Sequence, residues 1–360
     1  MKCKRCLIDS KIDLVTLTDE GCELCENYLN RLKQTDVAKE NLISEKIRAE
    51  SLNQKYNCVL GLSGGTDSSY AALWAKKHNL SGLLIHLDNG WNSDLASKNI
   101  ETIQRITAFP LVTVVLNWEN FRAIQKAFFV SGLRELEFPT DHAIKYAVYS
   151  QAKKKKVKSI ISGRNLVTEG ILPSSWSYGP LDNTFLKSVL RAQSVKLDPS
   201  FPTQNLPAYL FDRILGSYKE YFPLNHDAGP SSLWKEKLLS TGWSEYSQKH
   251  YESNWTKFYQ GVYMFEKYGI DKRRAHLSVQ VLRGEISRTE ANEALLSPPV
   301  DDQERLILIE YVKEKLQLTE REFNLGMSTH RSFKEFKNLS KFFELTKSSA
   351  YIKVRKHILT

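Results

Sequence analysis

Between residues 58 and 162 the chain alternates two kinds of pattern. Short unbroken apolar runs occur at Cys58-Val59-Leu60-Gly61-Leu62, Gly82–Leu87, Leu111–Leu116 and Ser159–Ser162. Between them lie longer stretches whose apolar residues recur at helical spacing: Asp67–His78, with Tyr70, Leu73 and Trp74 on one face, then Asp94–Thr107, Trp118–Val130 and Asp141–Lys153. Unbroken runs are the mark of strands buried on both faces, and the intervening periodicity is that of covering helices. The order predicts an α/β fold with a parallel sheet, in which ligands bind beyond the carboxyl ends of the strands. A charged segment from Val37 to Tyr56 is expected to be helical. From Asp198 onward strand signals fade, Pro199, Pro202, Pro207 and Pro223 punctuate an irregular stretch, and the remainder reads as aromatic-rich helices.

The loop after the first run is the most telling feature. Ser63-Gly64-Gly65-Thr66-Asp67-Ser68 stands between a strand and a helix. Its glycines allow a tight turn and close ligand approach, and backbone N–H groups backed by a helix N-terminus make an anion cradle. The hydroxyls of Ser63 and Ser68 add donors. Asp67 would repel bare phosphate, so it points to a magnesium ion between them. No lysine follows the glycines, which separates this loop from the GxxxxGK[ST] type. Other strand ends supply Asp88 and Asn89, then Gly163 with Asn165, Thr168 and Glu169 close behind. Glu169 is a candidate magnesium ligand or proton carrier, with a helix-capping carboxylate as the plain alternative. Lys187 is a candidate for neutralising phosphate charge, against a surface lysine. His142 suits a core histidine or a general base.

Four of the five cysteines lie at the N-terminus as Cys3-x-x-Cys6 and Cys22-x-x-Cys25, fifteen residues apart. That spacing fits a closed four-thiolate zinc site, with an iron–sulfur cluster as the alternative. Cys58, inside the first strand, is expected to be a buried inert thiol. The domains expected are a zinc module at 1–35, a nucleotide-binding domain at 36–197 and a mainly helical C-terminal domain at 198–360.

Composition narrows the classes. Hydrophobic residues make up 41% and charged residues 26%, so a folded chain is expected rather than a disordered one. The net charge of +10 suits an anionic partner such as a nucleotide, a sugar nucleotide or RNA, or simply a basic surface. Lys153–Lys156 reads as the wet end of a helix. No apolar run reaches the length of a membrane span, and the N-terminus lacks a secretory core; a cytoplasmic location with no membrane contact is expected.

The SGGTDS loop resembles the SGGxDS motif of the PP-loop ATP pyrophosphatases, whose fold is Rossmann-like (adenine nucleotide alpha hydrolase-like). Together with the cysteine module, the chain more specifically resembles the bacterial N-acetyl sugar amidotransferases of surface-polysaccharide and nonulosonic-acid pathways. Leu87–Ser93, Thr140–Ile144, Ser162–Glu169, Lys249–Ser253, Phe258–Gln260 and Gly269–Ser278 carry this likeness, which runs from Cys3 to about Leu295 and fades beyond Ser297. The resemblance implies binding of ATP by Ser63, Gly64, Gly65, Thr66, Asp67, Ser68, Asp88, Asn89 and Gly163. It implies transfer of AMP to the acetamido oxygen of a nucleotide sugar, release of pyrophosphate, and attack by ammonia from a separate glutaminase subunit. His250, Tyr251, Glu252, Lys272 and Arg273 are candidate contacts to the sugar nucleotide. The competing reading is a tRNA-modifying PP-loop enzyme, for thiolation or lysidine formation. The absence of a spare reactive cysteine and of a basic arm with interleaved aromatics makes nucleic acid the weaker expectation. A non-catalytic scaffold is the third reading.

Overall fold

The computed structural model describes residues 1–33, 39–176, 178–214, 216–227 and 229–340. Five parallel strands form one sheet: β1 (Cys58–Gly61), β2 (Gly82–Asp88), β3 (Leu111–Val115), β4 (Ser159–Ile161) and β5 (Lys219–Tyr221), in the order β3-β2-β1-β4-β5. Cys58 pairs with Gly82 on one side and with Ser159 on the other. The chain order reverses direction between β1 and β4, the position beyond whose carboxyl ends ligands bind in such sheets. Four strands fall where the apolar runs predict. β5 was not expected, and its three residues extend the sheet past residue 197.

The helices form where the periodicity and caps dictate. Ser93, Asn117 and Asp182 accept from the backbone N–H groups of Ala96, Asn120 and Phe185, each stabilising a helix start. The helix Phe138–Lys154 begins three residues before Asp141, because Pro139 fits the first turn, where no N–H partner is needed. In the expected helix near residue 40, Lys39–Glu50 is helical; Val37 lies outside the described residues.

Two apolar clusters cover the two faces of the sheet. Tyr70, Trp74, Ile100 and Trp234 belong to one, and Tyr146, Tyr149, Val157 and Tyr218 to the other. A third unites the helices Trp118–Val130 and Asn183–Ala192 with the C-terminal helices through Trp91, Phe128, Phe185, Trp255 and Phe258. The C-terminal region is thus packed into the side of the α/β layer. Among the described residues no helix is long and apolar enough to cross a membrane. Lys153–Lys156 are exposed at a helix end, and Cys58 is fully buried.

Candidate functional site: a phosphate loop closed by a distant lysine

The Ser63–Ser68 loop leaves β1 and enters the helix Thr66–Lys77, which starts at Gly65 without a side-chain cap. Gly64 has φ +84, and a Cβ there would lie 2.7 Å from the Ala96 carbonyl oxygen, so this turn requires glycine. Gly163, at the end of β4, lies so close that a Cβ would sit 2.9 Å from the Asp67 carbonyl carbon and the Ser68 nitrogen. The loops after β1 and β4 therefore touch at the reversal point. Inside the loop, Ser68 Oγ lies 3.1 Å from Ser63 Oγ and accepts from the Ser63 N–H at 3.2 Å. Three donors hold the Gly64 carbonyl from behind: Trp243 Nε1 at 2.9 Å, Tyr246 Oη at 3.1 Å and Asn99 Nδ2 at 3.4 Å. They fix the orientation of that peptide.

Residues nearly two hundred positions away complete the site. Lys249 Nζ lies 2.7 Å from Asp67 Oδ2 and 3.2 Å from Glu169 Oε1, and donates to Thr168 Oγ1 at 2.6 Å. Thr168 Oγ1 in turn donates to Asp67 Oδ2 at 3.2 Å. His250 Nε2 stands 3.4 Å from Glu169 Oε1. His250 has φ +68, a left-handed conformation that a β-carbon disfavours and that concentrates at functional sites. His276 donates from Nδ1 to the Thr168 carbonyl at 3.0 Å, which leaves its buried Nε2 a bare acceptor. Glu252 accepts from Ser63 Oγ at 3.2 Å and lies against Gly65.

The electrostatics follow from these contacts. Burial would push the Glu169 carboxyl up, but the charge of Lys249 and the hydrogen bond and charge of His250 outweigh it and hold the group ionised, well below the usual carboxylate range. Burial would lower Lys249; Asp67 and Glu169 raise it instead. His276 is depressed to about 3 by burial and by the nearby Lys249 and His250 charges, so it is neutral. Burial raises Glu137 to about 8, helped by Asp141, and raises Asp141 to about 6 against the charge of Lys272. Asp141 itself is exposed to solvent.

The expected site residues do not all gather here. Ser63, Gly64, Gly65, Asp67, Ser68, Gly163, Glu169, His250 and Glu252 do. Asp88 and Asn89 close the turn after β2, accepting from the Gly90 and Trp91 N–H groups. Lys272 stacks its ammonium over the buried Trp176 ring at 5.4 Å and faces Asp141, Glu137 and Glu169. Tyr251 is buried and donates to the Pro299 carbonyl at 3.4 Å. Arg273 is taken up by Asp271 at 2.7 Å and by the carbonyls of Ala294 and Ser297. Lys187 is exposed on the outer face of Asn183–Ala192, whose Phe185, Leu186, Val189 and Leu190 point inward. No contact joins Lys187 to the loop among the described residues; the ammonium beside Asp67 and Glu169 is that of Lys249. His142 is a core residue, bonded to the Pro180 carbonyl at 2.6 Å and Thr203 Oγ1 at 2.8 Å, with burial lowering it to about 4.

The four N-terminal cysteines meet in one buried cluster, with ligand atoms within 4.8 Å of one another. The sulfurs of Cys3 and Cys25 are 3.6 Å apart, those of Cys6 and Cys22 3.9 Å, and those of Cys22 and Cys25 3.4 Å. A tetrahedral ion with bonds of about 2.3 Å spaces its sulfurs about 3.8 Å apart, so the donor set fits one metal ion.

Residues 252–349 match a family model described as LPS biosynthesis protein WbpG-like, C-terminal domain. The matched segment begins at Glu252, the residue bonded to Ser63 in the phosphate loop. It runs on past Ser297, where the likeness to the family was expected to fade. The match supports the resemblance to the sugar amidotransferases of polysaccharide biosynthesis. No curated protein matches the sequence. Among solved structures, the U34-tRNA thiolase NcsA from Methanococcus maripaludis with its [4Fe-4S] cluster aligns over 89% of each chain at 13% identity and TM-score 0.34. The NH3-dependent NAD synthetase of Campylobacter jejuni aligns over 59% of this chain and 100% of its own, at 14% identity and TM-score 0.30. The NMN synthetase of Francisella tularensis covers 62% and 98%, at 14% identity and TM-score 0.29. At TM-scores this low, none of them bears on what this protein does.

Proposed function

We propose that this protein is an ATP-dependent, AMP-forming N-acetyl sugar amidotransferase acting in the cytoplasm. On this reading the Ser63–Ser68 loop holds the β- and γ-phosphates of ATP, and the acetamido group of a nucleotide sugar lies in the cleft beside it. The observation that carries the reading is the Glu252–Ser63 contact, which seats the start of a WbpG-like domain on the phosphate loop.

An amide carbonyl is a poor electrophile, and its oxygen leaves only once activated. The amide oxygen attacks the α-phosphorus of ATP, the bond to pyrophosphate breaks, and an O-adenylyl imidate forms. Ammonia adds to the imidate carbon, AMP carries the former amide oxygen away, and an acetamidino group remains. On this reading Lys249 balances charge on the departing pyrophosphate, a role in which one preorganised donor counts heavily. Glu169 stays ionised and pairs with Lys249 and His250, which orients both side chains. Neutral His276 holds the Thr168 carbonyl and thereby the Thr168–Glu169 turn.

Magnesium, when bound, would neutralise phosphate oxygens as a Lewis acid. Asp67 would hold it, with the Thr168 hydroxyl close by. The set fits, since magnesium takes few protein carboxylates and completes its shell with water and phosphate. Zinc is the metal we assign to Cys3, Cys6, Cys22 and Cys25, as a closed site without a catalytic position. Ammonia is largely protonated near neutral pH, so we assign its supply to a separate glutaminase.

The test incubates the purified protein with ATP, magnesium, concentrated ammonium and a panel of acetamido nucleotide sugars, and follows products by mass spectrometry. A sugar whose oxygen is replaced by NH, formed with one AMP, is the expected result. AMP formation with bulk tRNA and no sugar change would overturn the reading in favour of RNA modification.

A further inference from the structure

The cysteine cluster does not stand apart from the phosphate site. Two structural routes lead from it to the turn Leu166–Glu169, whose Thr168 and Glu169 contact Lys249. The first runs through the helix Glu23–Leu32, which carries Cys25 and, one turn on, the fully buried Tyr28. The Tyr28 ring presses on Gly170, the residue after Glu169, so closely that a Cβ there would lie 2.3 Å from it. The second runs through Asp13, wholly buried in the segment that links Cys6 to Cys22, which pairs with Arg274 at 2.8 Å and accepts from Trp176 Nε1 at 3.2 Å. Arg274 shares the helix Arg273–Leu282 with His276, which bonds the Thr168 carbonyl. The Leu7 N–H donates to Ser278 Oγ of that helix at 3.0 Å. The four cysteines form one apolar cluster with Leu166, Ile171 and Val279, drawn from the turn and from this helix.

We propose that the metal held by the four cysteines sets the position of Thr168 and Glu169 through Tyr28 and Asp13, so that metal binding and nucleotide binding are thermodynamically linked. Asp13 and Tyr28 are then positioning residues: neither touches the loop, and each is fixed by a module that closes on its metal. The inference rests on the reading of Ser63–Ser68 as the ATP site. Linkage is reciprocal, so nucleotide must hold the metal as firmly as the metal favours nucleotide.

The experiment measures the protein's metal affinity by equilibrium competition with a zinc-selective chelator, at constant magnesium, with and without a non-hydrolysable ATP analogue. It also measures the analogue's Kd directly for the parent, Asp13→Asn and Tyr28→Ala. Metal affinity raised about tenfold by the analogue, with Kd weakened about tenfold in the two variants at unchanged metal content, is the expected result. An analogue that binds the parent but leaves the metal affinity unchanged overturns the linkage and spares the nucleotide site. No binding to the parent overturns the nucleotide reading, and the linkage with it. The metal affinity of the parent needs no variant, so misfolding of either substitution leaves the test intact.

Discussion

Lys249 Nζ lies 2.7 Å from Asp67 Oδ2, joining the phosphate loop to a segment 182 residues further along the chain. The pair shares its neighbourhood with Glu169 and the Thr168 hydroxyl, so one ammonium serves two carboxylates. A cation confined this way stands beside the loop already oriented, without the ordering cost that a solvated lysine side chain would carry. It also offsets the acidic charge of Asp67, Glu169 and Glu252, which would otherwise oppose a triphosphate.

Lys249→Met should therefore lower kcat/KM for AMP formation by about 10²–10³, the usual cost of removing one preorganised charge donor. Lys187→Ala should stay within about twofold of the parent, a change well below the factor of ten that 1.4 kcal/mol represents. Steady-state release of pyrophosphate checks both. Equal losses in the two variants would mean that the leaving group departs on the other side of the molecule.

Gly64→Ala places a side chain at φ +84 and drives its Cβ to 2.7 Å from a backbone carbonyl that cannot swing away. The loop must shift, and with it the peptide gripped by Trp243, Tyr246 and Asn99. ATP binding should weaken by at least tenfold while the far-ultraviolet circular dichroism stays that of the parent. Calorimetric titration with ATP and magnesium reads the first quantity, and an unaltered affinity would show that phosphate does not contact this peptide.

The sequence carried β1 to β4 because doubly covered parallel strands are uninterrupted apolar runs, and the flanking helices because their apolar stripes repeat. β5 escaped because Lys219-Glu220-Tyr221 is a short edge strand with no apolar run; it is defined by pairing to β4 and by the Lys219–Glu50 contact at 2.7 Å. The phosphate loop was legible because its chemistry is local, with glycines, hydroxyls and a carboxylate on six consecutive residues. The cation was not. Lys187 and Lys249 both follow polar and apolar neighbours in ordinary proportions, and no local signal says which lysine the tertiary fold turns toward Asp67. The positive φ of His250 gave no warning either, since histidine has no left-handed preference as strong as that of glycine.

Cys22→Ser should remove one of four converging thiolates and reduce the bound metal from one ion per chain to a small fraction. Closed thiolate sites couple metal to folding, so the N-terminal segment should also become sensitive to limited proteolysis. Metal content by plasma mass spectrometry is the check. One retained ion in Cys22→Ser would show that the four cysteines do not share it, and two or more irons in the parent would replace zinc with a cluster.

Glu137 gives the protein a stability that declines with rising pH. Burial raises its carboxyl to about 8, the charge of Asp141 adds to the effect, and the Thr256 hydrogen bond and the Lys272 charge oppose it. In the unfolded chain this group titrates at about 4.3, so between about pH 4 and pH 8 the folded protein holds a proton that the unfolded chain has lost. Its contribution is thus fully present below the lower value and disappears as pH rises through the upper one. Asp141, raised to about 6, acts in the same direction over a lower range. His276, depressed to about 3, acts oppositely, adding stability as pH rises toward its ordinary value of about 6.5. Above that point the Glu137 effect stands alone among these three. The melting temperature of Glu137→Gln should gain on that of the parent between pH 6.5 and 8.5, by a few degrees for a chain of this size. Differential scanning fluorimetry across that range decides it, and a difference that does not change with pH would place the Glu137 carboxyl in ordinary solvent.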